Sequence, residues 1–163
     1  MKRLILMRHA KSDWSGGQGD DHGRQLNARG RKNAGAMGDW MRSQDLMPDQ
    51  IICSSAARTR ETLERLDLPS ETPVEFTRNL YLATHSDILK VLQSAEGRTV
   101  LMLGHNPGIS IAAAELLAAC PGHAEFDNYP TCATLVADFD VEDWREAGWG
   151  KGNARHFVVP RDL

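Results

Sequence analysis

Two arginines and two histidines stand where apolar runs of this chain give out, and their types suit one kind of chemistry. Arg8 and His9 follow Leu4, Ile5, Leu6 and Met7; Arg58 comes shortly after Ile51, Ile52 and Cys53; His105 closes the run Val100 to Leu103 after a single glycine. A guanidinium fork matches the oxygens of a tetrahedral phosphate in pairs. An imidazole, titrating near its reference value of about 6.5, can donate, accept or attack at neutral pH. Converging Arg8, His9, Arg58 and His105 would therefore suit a tetrahedral dianion, with Ser55 and Asn106 beside them as further phosphate contacts. Each also has a plainer role available. Arg58, for instance, could simply pair with Glu61 or another nearby acid on the surface.

Convergence requires the apolar runs to be neighbouring parallel strands whose carboxyl ends share one edge, where open α/β sheets take their ligands. The order of elements predicts this. Short strands at 4–7, 51–53, 73–76 and 99–103 alternate with helical patterns, and β-branched segments at 131–139 and 155–159 close the chain. Asn27 is an N-cap for a helix that buries Ala34, Met37, Trp40 and Met41 and ends near Ser43, with Gly35 and Gly38 suggesting close packing on the sheet. Ser54 and Ser55 open a second helix, leaving Arg58 in its first turn, where free N–H groups favour an anion. Thr84 and Asp87 resemble a capping box for a third helix, and an alanine-rich fourth runs over 109–119. Such alternation gives an α/β fold of three layers, α/β/α, around a mostly parallel sheet. Ser12 to Gly23 lacks periodicity and is expected as a mobile loop over the carboxyl edge.

With 163 residues, 41% hydrophobic and 25% charged, the chain predicts a single domain over 1–163. A net charge of -3 argues against a general nucleic-acid binder and leaves room only for a small local cluster of cations. No apolar run has the length of a membrane span or the form of a signal peptide, so no membrane partner and a cytoplasmic location are expected. Cys53, Cys120 and Cys132 are few and widely spaced, which suits reduced, mostly buried thiols. No His and Cys pair has metal-ligand spacing, so neither a metal nor another cofactor is expected. His22 could rim the site, while His85, His123 and His156 have no partner spacing.

Four stretches in order carry a resemblance over the whole chain: LILMRHAKS from Leu4; Arg24, Leu26, Asn27 and Gly30; SSAARTRET from Ser54 to Thr62; and GHNPG from Gly104 to Gly108. Together they resemble the histidine phosphatase superfamily, the phosphoglycerate mutase-like enzymes, and look most like its SixA-type phosphohistidine phosphatases. The resemblance implies a two-step phosphoryl transfer in which His9 attacks phosphorus and water hydrolyses the resulting phosphohistidine. Arg8, Arg58 and His105 would hold the equatorial oxygens, with no metal. The chain departs from many superfamily members in lacking an obvious acid after the third strand; only Asp87 and Tyr81 are plausible donors. A missing acid costs about a hundred- to ten-thousand-fold with an alkoxide leaving group. It costs less for phosphohistidine, whose departing imidazole is a weaker base. The implied substrate is a phosphorylated protein, a phosphocarrier or phosphorelay histidine. The alternatives are a phosphomonoesterase for a small metabolite and a non-catalytic phosphate-binding module.

Overall fold

The computed structural model describes residues 1–15 and 19–163. Its centre is a six-stranded sheet built from β1 (Lys2–Arg8), β2 (Gln50–Ser54), β3 (Val74–Thr77), β4 (Thr99–Gly104), β5 (Thr134–Phe139) and β6 (Gly152–Val158). The strands lie in the order β3-β2-β4-β1-β5-β6. β1, β2, β3 and β4 run parallel, whereas β5 pairs antiparallel with β1 and β6 antiparallel with β5 at the edge. Four helices, α1 (Ala28–Ser43), α2 (Ala57–Leu66), α3 (His85–Gln93) and α4 (Gly108–Leu116), supply the crossovers and complete the expected α/β/α architecture.

Alternating side chains of the buried strands feed two cores. Leu4 and Leu6 of β1, Ile52 and Met102 pack with Ile88, Leu92, Ile109 and Leu116 of α3 and α4 on one face. Ile5 and Met7, Ile51, Cys53 and Leu103 pack with Met37, Met41 and Leu66 of α1 and α2 on the other. A strand buried on both faces must be apolar at every position, which is why β1 and β4 read as continuous hydrophobic runs. Asp138 of β5 ties the antiparallel strands to β1, meeting Arg3 Nε at 2.7 Å and Arg155 Nε at 2.9 Å.

Several local expectations are corrected. Ser54 ends β2 instead of opening a helix, and the N-cap of α2 is Ala56, which offers no side-chain cap. Ser55 lies between them. Asn27 does cap α1, accepting from the Gly30 amide. Gly38 faces α2 and not the sheet: a Cβ there would lie 2.2 Å from the Leu66 carbonyl oxygen, so two helices touch through backbone, whereas Gly35 faces open space. Of the presumed capping box, the Thr84 hydroxyl accepts from the Asp87 amide, which is half of the motif. α4 stops at Leu116, three residues short of the expected end.

Cys53 and Cys132 are buried free thiols, pushed up to about 12 by burial, and Cys120 is exposed. Within the presumed mobile loop, positions 16–18 lie outside the described residues. In the described remainder, Ser12 bridges to Leu26, and the Asp21 carbonyl accepts from Arg58. No helix among the described residues is long and apolar enough to cross a membrane.

Candidate active site

Strand register brings the two histidines together. Arg8 of β1 stands opposite Gly104 of β4 in a parallel pair, so His9 and His105 are the next residue on each of two adjacent strands. Their ring centroids are 5.4 Å apart, close to the separation of the strands that carry them. β2 lies on the other side of β4 with Cys53 opposite Leu103, which places Ser54 beside Gly104. The Ser54 hydroxyl consequently meets His105 Nε2 at 2.7 Å.

His9 is nearly enclosed, and its Nδ1 lies 2.6 Å from the carbonyl oxygen of Ala10. A carbonyl can only accept, so Nδ1 carries the proton and Nε2 keeps its lone pair. Ala10 is anchored in turn through its N–H, which donates to Thr62 Oγ1 at 2.9 Å. Thr62, the last residue of the third sequence stretch, thus anchors the residue whose carbonyl orients the imidazole.

Arg58 projects from the first turn of α2 and is only 2% exposed. It does not pair with Glu61, which takes Arg31 instead. Its Nη1 and Nη2 donate to the carbonyl and carboxylate of Asp21, at 2.7 and 3.0 Å. Asp21 also accepts from Tyr81 and Arg24, and the Tyr81 bond in first place, with these guanidinium groups, holds its carboxyl well below the usual range. Arg8 donates from Nη1 to the carbonyl of Tyr129, and Asn106 Nδ2 donates to the same oxygen. Arg8, His9, Arg58, His105 and Asn106 all line one cleft of about 540 Å³.

Ser55 does not line it: its hydroxyl bonds His22 Nε2 at 2.8 Å, and Ser54 is the serine at the histidine pair. Lys11, Arg24, Trp14 and Asp21 do line the cleft and escaped the reading of the sequence. The signal for Lys11 is its place just past β1 and that for Arg24 its place in the second matching stretch; Trp14 and Asp21 sit on the loop, where no period marks a residue. Of the two candidate acids, Tyr81 packs edge-on to His105, with its hydroxyl on Asp21, while Asp87 is exposed in the first turn of α3.

The cleft gathers four cationic side chains, Arg8, Lys11, Arg24 and Arg58, against the single carboxylate of Asp21. Among the described residues, the buried side-chain polar atoms without a hydrogen-bond partner are Arg8 Nε, Arg58 Nε and His105 Nδ1. An unpaired buried donor typically costs about 1–3 kcal/mol. That this cost falls wholly on three of these residues marks a place that the fold leaves unsatisfied. No group of three or more metal-ligating side chains occurs among the described residues.

The histidine phosphatase superfamily (branch 1) model matches residues 4–81, the stretch holding Arg8, His9 and Arg58. An uncharacterised protein of Mycobacterium tuberculosis is 35% identical, covering 95% of this chain and 100% of that one. The chain belongs to the histidine phosphatase superfamily. Within it, the phosphohistidine phosphatase SixA of Escherichia coli is 29% identical over 74% of this chain and 75% of its own. A structure assigned to SixA from Nakamurella multipartitia superposes with a TM-score of 0.82 at 27% identity, covering 98% of this chain and 96% of that one.

Burial pushes both histidines down to about 3, with the neighbouring arginines adding to the shift; for His9 the Ala10 bond opposes it. Both rings are therefore neutral at physiological pH. Because the folded values lie below the unfolded value of about 6.5, the unfolded chain takes up protons first as pH falls. Stability is then complete above pH ~6.5 and drains away towards pH ~3, by roughly a kcal/mol per pH unit for each ring. The expected result is a urea midpoint that falls from pH 6.5 to 4, and His9 and His105 ring resonances in NMR that do not titrate between pH 5 and 8. A midpoint in the ordinary histidine range for either ring would contradict it.

Proposed function

We propose that the protein is a phosphohistidine phosphatase acting on a phosphorylated protein, with His9 as nucleophile. The observation that carries this reading is the lone pair of His9 Nε2, left free by the Nδ1 bond to Ala10, in a cleft where four cations face one carboxylate. His9 Nε2 attacks phosphorus in line, forming a new P–N bond as the P–N bond to the substrate imidazole breaks. The guanidinium groups of Arg8 and Arg58 and the ring of His105 offset the charge on the equatorial oxygens, and Asn106 borders the same oxygens. Water then displaces phosphate from His9 and restores the enzyme.

Two observations support phosphohistidine over an alkyl phosphate. Asp21, the single carboxylate lining the cleft, is held ionised by Tyr81 and the arginines, and an ionised carboxylate has no proton to give a leaving alkoxide. The relatives named phosphohistidine phosphatase span most of the chain. A cleft bordered by exposed Trp14 and Leu82 is suited to a side chain presented by a protein, and we infer a phosphocarrier or phosphorelay histidine as substrate.

A turnover panel tests the reading. A protein phosphorylated on histidine should be hydrolysed with a kcat/KM at least about a hundredfold above sugar phosphates and aryl phosphates, the size of effect a missing general acid produces. Faster hydrolysis of a sugar phosphate would replace it with the phosphomonoesterase alternative. Phosphate binding without turnover of any member would leave a binding module.

A further inference from the structure

Beside the catalytic cleft, and sharing Lys11, Pro130 and Thr131 with it, lies a second hollow of about 210 Å³. Arg29 and Arg161 line it as well, and Glu125 is the one carboxylate among its described lining residues. Lys11, Arg29 and Arg161 make no hydrogen bond or ion pair through their side chains to any described residue. The other arginines around the site are engaged: Arg24 and Arg58 with Asp21, Arg31 with Glu61. Nearby Asp162 is already committed, to His123 Nε2 at 2.8 Å and to the Val159 amide. Glu125 accepts from Asn128. Three uncommitted cations thus stand against one carboxylate, on a protein whose net charge is -3. Arg29 adds to the positive end of α1, whose first turn holds no acidic residue.

Resting on the phosphohistidine phosphatase reading, we propose that this hollow is the docking groove for acidic residues flanking the phosphohistidine of the protein substrate. The phosphoryl group in the main cleft and the hollow are joined through Lys11, so a chain that delivers the one leads past the other. Fixed cations at Arg29 and Arg161 would recognise carboxylates there, raising affinity and the encounter rate without touching the phosphorus. The hollow has room for one or two acidic side chains, so the partner is a protein with aspartate or glutamate near its phosphorylated histidine.

Two short peptides provide the test, one with a single phosphohistidine followed by glutamates and one with glutamines in their place. Binding is measured to the protein carrying His9→Ala, which cannot turn them over. The glutamate peptide should bind about tenfold more tightly at low salt, with the margin shrinking as salt rises. Adding Arg29→Glu and Arg161→Glu should abolish the margin, and Arg29→Lys with Arg161→Lys should keep it. Both arginines are exposed, so an unchanged thermal midpoint shows that the fold persists. Equal binding of the two peptides, or a margin that survives charge reversal, would overturn the groove. Failure of the phosphatase reading would look different: the unmodified protein would release no phosphate from either peptide, whatever their affinities.

Discussion

His9→Ala should lower phosphohistidine hydrolysis by at least about a thousandfold, the loss typical of deleting a covalent nucleophile. Nothing else in the cleft can take its place. His105 is the other imidazole there, but its Nε2 is engaged with the Ser54 hydroxyl and its unpartnered Nδ1 is buried. Cys53 and Cys132, the thiols nearest in sequence to site elements, are buried and pushed up to about 12, which removes them as nucleophiles at neutral pH. The substitution should not unfold the protein, because the ring it removes is a polar group whose burial opposes its protonation; the variant should lose less stability on acidification than the parent. Rapid acid-free quenching of the parent with labelled substrate should trap a phosphoryl group that is stable to alkali, labile to acid and located on His9 by mass spectrometry. Residual activity within tenfold of the parent, or label on another residue, would remove His9 from its role.

Arg58→Ala should cost about a hundred- to a thousandfold in kcat/KM, the usual loss on removing one donor to a transition-state oxyanion. The guanidinium is 2% exposed, so it acts where water cannot screen it. Arg58→Lys is the sharper comparison. It keeps the charge but not the fork that binds Asp21 through two nitrogens, and it should recover only part of the loss. Because Asp21 is held also by Arg24 and Tyr81, and is itself partly exposed, the loop should remain anchored and the thermal midpoint should move little. A kcat that is unchanged while KM rises would mean that Arg58 binds ground state and transition state alike, contrary to the role given to it. Loss of activity together with loss of the folded signal would be uninformative for Ala alone, and the lysine variant separates the two.

The architecture and the strand-end residues were legible because both follow from short-range rules. A central strand must be apolar on both faces, so LILM and VLML declared themselves, and the residue after such a run must lie at the sheet edge. Asn27 announced α1 by the chemistry of its side chain. The errors have the same origin. Ser54 and Ser55 are adjacent, and which one ends the strand depends on how far β2 pairs with β3 and β4, a matter of register between distant segments. At Gly38, propensity reports that a side chain is missing, not that Leu66 of α2, instead of the sheet, requires it to be missing.

What the sequence by itself determined, then, is the family and the candidate residues Arg8, His9 and His105 at strand ends and Arg58 in the helix after β2, since those depend on runs and motifs within a few positions of one another. Only the tertiary structure decided what each residue touches. The pairing of Arg8 with Gly104 sets His9 beside His105, and the carbonyl of Ala10, a residue anchored through its N–H to Thr62, selects the tautomer of His9. The folding of the loop onto α2 gives Arg58 its partner in Asp21, and the fold brings Arg29 and Arg161, far apart in the chain, to the wall of one hollow. Hydrogen bonds and charge act over a few ångströms in space, and separation along the chain carries no record of that distance.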